Sequence, residues 1–75
     1  LDRTFIDGGF RWIIDYKFAQ PNDSENLSQF EQRQIDRYLP QLAHYAGLYR
    51  QIGSEPVRCA LYFPQIGLFS EVTVD

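Results

Sequence analysis

Two stretches near the start of the chain, residues 1 to 6 and 10 to 18, are rich in Phe, Ile, Trp and Tyr and flank the tripeptide "DGG". The pattern predicts a tight β-hairpin, since glycine adopts the left-handed backbone that two-residue hairpin loops demand. Residues 19 to 29, "AQPNDSENLSQ", are polar and punctuated by Pro, Asn, Asp and Ser, which reads as a loop. The period then changes. Ile35, Tyr38, Leu39, Leu42, Ala46, Tyr49 and Ile52 recur at three-and-four spacing, one face of an amphipathic helix between about Gln29 and Ile52.

Pro40 lies inside that pattern, lacks an N–H and disfavours a helical Leu39. The expected solution is a short helix over 28 to 35, then a main helix capped by Asp36 with Pro40 in its first turns and Gly53 as its stop. "VRCALYF" (57 to 63) and "LFSEVTV" (68 to 74) alternate as strands around "PQIG", a second hairpin. The order strand, strand, helix, strand, strand defines an α/β (α+β) class with a mixed sheet. A right-handed crossover would set strand 57 to 63 parallel to strand 10 to 18.

Length limits this design to one domain with a small core, for a 75-residue chain buries only about 60% of its unfolded surface. The sequence starts mid-pattern at "LDRTFI", and residues 1 to 75 are read as part of a larger domain. No stretch is long and apolar enough to span a membrane, and the expected location is cytoplasmic. One cysteine, Cys59, allows neither an internal disulfide nor a cysteine-based zinc or iron–sulfur site, and reads as a small apolar residue in a strand. The net charge of -3 argues weakly against broad phosphate binding, although a bound divalent cation reverses the local field of acidic ligands. Six of the seven basic residues are Arg, so Lys17, close to Asp15 at the end of the apolar strand "FRWII", stands out.

Hairpin register gives that pair a context. With Gly8-Gly9 as the loop, Asp7 pairs with Phe10, paired positions sum to 17, and Asp2 falls opposite Asp15 on the face that also carries Lys17. A loop of Asp7-Gly8 would leave Asp2 diagonal to Asp15 on the same face, whereas a three-residue loop would separate them. Facing carboxylates repel unless a proton or a cation is shared. Two aspartates with nearby oxygen donors suit Mg²⁺ or Mn²⁺, and an adjacent lysine can orient or deprotonate a water or stabilise developing negative charge. The plain alternative is a solvent-facing Asp15–Lys17 pair contributing about 0 to 1 kcal/mol.

"LDRTF", then "IIDYK" thirteen residues on, then "YLPQLAHYAGLY" in the helix, then "ALYFP" resembles the RecB-family nuclease domain of the PD-(D/E)XK superfamily, as found at the C-terminus of AddA-like and UvrD-type helicase-nucleases. The resemblance implies a restriction-endonuclease-like core and Mg²⁺-dependent DNA phosphodiester hydrolysis of the exonuclease type. It implies that Asp2 and Asp15 bind metal, that the Tyr16 carbonyl does so too, that Lys17 is the catalytic lysine, and that Gln41 and Tyr45 form the Gln-x-x-x-Tyr motif facing the site and the DNA strand. It also implies a helicase domain upstream in the same chain, in a protein of DNA repair, and a further metal-binding His upstream of the first Asp.

Gln41 and Tyr45, at i and i+4, share one helical stripe flanking the apolar face. His44 lies about 100° round the helix from Tyr45 and reads as a partly exposed packing residue. Phe18 replaces the small residue that follows the lysine in the family, and is expected to crowd the strand end or fill the core. One alternative is a degenerate nuclease fold kept for DNA docking or subunit contact. Another is an unrelated small α/β interaction module with every charge solvated and an arbitrary hairpin register.

Overall fold

A computed structural model describes residues 2–74. Four strands, β1 (Arg3–Asp7), β2 (Phe10–Tyr16), β3 (Val57–Phe63) and β4 (Leu68–Val72), form one sheet in the order β1-β2-β3-β4. β1 and β2 are antiparallel, β2 and β3 parallel, and β3 and β4 antiparallel, giving the expected mixed sheet. Residue 1, with which the first strand was expected to begin, lies outside the described residues.

Gly8 and Gly9 form the first hairpin loop with φ of 59° and 83°, the paired left-handed conformations of a primed turn whose twist matches its strands. Asp7 therefore pairs with Phe10, and the ladder runs to Arg3 opposite Ile14. Residues 64–67 turn the second hairpin, with Gly67 at φ 63°.

The helix departs from expectation. Instead of a break before Asp36, a single helix α1 runs from Leu27 to Ile52 with Pro40 inside it. Asn26 is the N-cap: its side chain accepts from the Gln29 amide at 2.8 Å, and the Gln29 side chain accepts from the Asn26 amide at 3.0 Å. This reciprocal capping box satisfies two amides that the first turn leaves without helical partners. Asp36, within the helix, accepts from Gln32 Nε2 at 2.8 Å. Pro40 removes one amide donor, yet Phe30, Gln34, Leu42 and Ala46 lie on one buried row that spans it. Packing on both sides of the proline outweighs the lost bond. Gly53 does end the helix, in extended rather than left-handed conformation, with its amide donating to the Tyr49 carbonyl at 3.0 Å.

α1 lies chiefly over β3, with β2 and β4 on either side. Between helix and sheet sit Ile13, Phe30, Leu42, Ala46, Cys59, Leu61, Phe63 and Val72, all buried. Strand parity assigns one sheet face to this core: Ile13 and Asp15 from β2, Cys59, Leu61 and Phe63 from β3, Ser70 and Val72 from β4. The other face carries no helix. There Trp12 and Phe69 rings meet at 6.1 Å, Tyr16 and Tyr62 at 5.5 Å, and the Arg58 guanidinium lies over Phe10 at 4.6 Å.

Candidate metal centre

The observed ladder continues the sum of 17 from Asp7↔Phe10 to Arg3↔Ile14, so the next position opposite Asp15 is Asp2. Asp2 is exposed, and its Oδ2 accepts from the Tyr16 amide at 2.8 Å. That bond carries the Asp2 carboxylate across to the end of β2. Asp15 points to the helix side of the sheet and is 1% exposed. The pair therefore comprises one carboxylate open to solvent and one buried.

Lys17 follows the last residue of β2. Its amide still donates to the Tyr62 carbonyl at 2.8 Å, so the backbone remains tied to β3. Residues 15 and 17 share strand parity, which turns the Lys17 side chain toward α1, where its Nζ sits 4.0 Å from the centre of the Tyr38 ring. Sequence reasoning placed Tyr38 on the apolar helix face and missed this contact. The available signal was the apolar row itself, since a tyrosine on it faces whatever the sheet presents.

Asp2, Asp15, Tyr16 and Lys17 are thus gathered at one strand end. Gln41 is exposed on the helix and makes no hydrogen bond to any of them, while Tyr45 is half-buried against the core. His44 is exposed, its ring 5.8 Å from that of Tyr45. Phe18 neither crowds the strand end nor fills the core: it is 75% exposed, because the chain leaves the sheet after Tyr16 and carries the ring outward.

Two further polar groups enter the interface between helix and sheet. Ser70 donates to Glu31 Oε2 at 2.6 Å, which pins the first turns of α1 to β4. Leu61 lies between Asp15 and Ser70 in the same cross-strand row. Glu31 is consequently tied to a residue two strand spacings, about 10 Å, from Asp15. Gln34 is buried on the same helix row, and nothing in the structure explains its selection there. Among the described residues no group of three or more His, Cys, Asp or Glu side chains converges.

The groups expected to bind metal at this strand end are all oxygen donors: the Asp2 and Asp15 carboxylates and the Tyr16 carbonyl. Such a partial set fits Mg²⁺ or Mn²⁺, which keep several waters and complete their shells with substrate oxygens. It does not fit zinc, which favours nitrogen and sulfur. Cys59 is buried in the core, and burial pushes its thiol from an ordinary 9.0 up to about 11, with Arg50 opposing the shift.

By its fold the chain is a small α+β domain with a four-stranded mixed sheet covered on one face by one helix. Comparison with protein families, with curated proteins and with solved structures finds no match. Among the described residues no helix is long and apolar enough to cross a membrane.

Proposed function

We propose that this chain is part of the nuclease domain of a DNA repair helicase-nuclease, with a restriction-endonuclease-like core that hydrolyses DNA phosphodiesters with Mg²⁺ or Mn²⁺. The observation that carries the reading is the Asp2 carboxylate bonded to the Tyr16 amide at 2.8 Å, one cross-strand step from Asp15 and on the face shared by Lys17. A register slipped by one residue would separate these groups onto opposite faces.

Asp2, Asp15 and the Tyr16 carbonyl would hold the cation. When bound, it supplies Lewis acidity and lowers the pKa of an attacking water. Asp2 meets the solvent side, and the buried Asp15 gives the site its inner wall. Lys17 offers its ammonium to a phosphodiester oxygen as negative charge develops there. Gln41, exposed on the helix, and Tyr45, one turn on, contribute to strand binding.

Calorimetric titration with Mn²⁺ tests the site directly. Wild type is expected to bind, and Asp2→Asn and Asp15→Asn to lose binding while keeping the circular dichroism of the folded chain. Lys17→Ala is expected to lower the cleavage of linear duplex DNA by about 100-fold or more, with DNA binding retained. Full cleavage by that variant, or no Mn²⁺ binding by the wild type, would remove the assignment.

A further inference from the structure

We infer that Tyr38 is a positioning residue for Lys17, so that the helix rather than the strand decides where the lysine ammonium stands; this rests on the nuclease reading above. Lys17 is the first residue beyond β2, and an irregular stretch follows it to residue 26. Backbone order at Lys17 ends with the bond to Tyr62, while its long side chain has several rotatable bonds. Without a partner the ammonium would sweep a wide volume of water.

The Tyr38 ring supplies the partner. Its centre is 4.0 Å from Nζ, the shortest cation-to-ring approach among the described residues, where the arginine examples fall between 4.6 and 5.7 Å. Tyr38 occupies the row Phe30, Gln34, Tyr38, Leu42, Ala46, of which the other four members are buried and Tyr38 alone is half-exposed. It is the point at which the packed row passes the strand end. The helix backbone and its buried neighbours hold the ring still, and the ring in turn gives the cation a fixed seat.

A ring also holds a cation in a way that a carboxylate cannot. It attracts through its quadrupole and leaves the charge uncancelled, so the ammonium keeps N–H donors for an anion. The Arg37 guanidinium lies 5.5 Å from the same ring. One aromatic ring thus meets two cations, Lys17 and Arg37, and two positive charges at one ring suit an anion such as a phosphodiester.

Tyr38→Leu and Tyr38→Phe separate the ring from the hydroxyl and from simple packing. Lys17 is the one lysine of the sequence, so lysine labelled in its ε-methylene gives a single resonance from it, shifted upfield by the Tyr38 ring. Tyr38→Leu is expected to abolish that shift and to lower kcat for DNA cleavage by about tenfold, with KM for DNA changed by less than about twofold. Tyr38→Phe is expected to restore both the shift and kcat. If the Leu variant loses its dispersed spectrum, Tyr38→Met, which fills irregular space, takes its place in the same comparison.

An unchanged kcat in a folded Leu or Met variant that has lost the shift overturns the positioning role and leaves the nuclease reading standing. A Phe variant as impaired as the Leu variant overturns it as well, since the hydroxyl would then be what matters. A wild type that shows the shift but cleaves no DNA sinks the nuclease reading, and this role with it.

Discussion

Asp2 and Asp15 are a pair because of two glycines. A two-residue loop at φ of 59° and 83° sets the register, and every side chain on β1 follows from it with a period of two. Which even-length loop forms was left open by "DGG", but that both acids share a face was legible there. The Tyr38 contact with Lys17 was not, for it joins residues 21 apart in sequence through helix docking. Phe18 was misjudged for a related reason: an apolar residue extends a strand pattern on paper, but the chain leaves the sheet two residues earlier.

Cys59 supplies a prediction at this scale. Its thiol, raised to about 11 by burial, stays protonated in the folded chain over a range in which the unfolded thiol ionises. Its contribution to stability is therefore complete below about pH 9 and is lost as the pH rises from there through 11. Chemical denaturation at pH 8, 9.5 and 10.5 is expected to show a falling midpoint that Cys59→Ala largely removes. A disulfide reagent at pH 8 should label the native thiol far more slowly than the unfolded one.

At the scale of elements, α1 carries the largest disagreement between pattern and structure. The capping box "NLSQ" was present in the sequence, but Pro40 drew the expected start forward to Asp36. Local rules assign a proline in a helix interior a cost of about 3 kcal/mol. They say nothing of Phe30 and Gln34, which are buried on the far side of it and draw the first turns onto the sheet. Ser70 adds its bond to Glu31 on the same side.

Restoring the missing donor gives a direct test, because Pro40 is exposed and its replacement disturbs no core contact. Pro40→Ala is expected to stabilise the domain by about 1 to 3 kcal/mol, raising Tm by several degrees in calorimetry. Asn26→Ala should cost about 1 kcal/mol through loss of the cap.

For the whole molecule, one helix of 26 residues is the longest object in the fold. At about 1.5 Å per residue it accounts for most of the 43 Å maximum extent. The sheet beneath it is shorter, so the helix covers one face while its last turn leaves Ile52 79% exposed. The opposite face closes over Ile14 and Ala60 with the rings of Trp12, Tyr16, Tyr62 and Phe69 and with the Arg58 guanidinium, which lies over Phe10 and Trp12. A core this thin has little reserve. Leu42→Ala, at a fully buried position in the middle of the helix, is expected to cost about 2 to 5 kcal/mol. Of a total near 4 to 11 kcal/mol for a chain of this length, that is enough to populate the unfolded state visibly in a urea titration.

The sequence by itself determined the four strands, the two hairpin turns, the parallel pairing of the central strands and the strand face that Asp2 and Asp15 share. All of these rest on periodicity and on glycine backbone preference, which act within a few residues or through a ladder that repeats them. Tertiary structure alone decided that α1 runs unbroken through Pro40, that Asp15 is buried while Asp2 meets solvent, and that Tyr38 receives the Lys17 ammonium. These depend on how a helix settles on a sheet, where the gain from burying Phe30, Leu42 and Ala46 outweighs local preference.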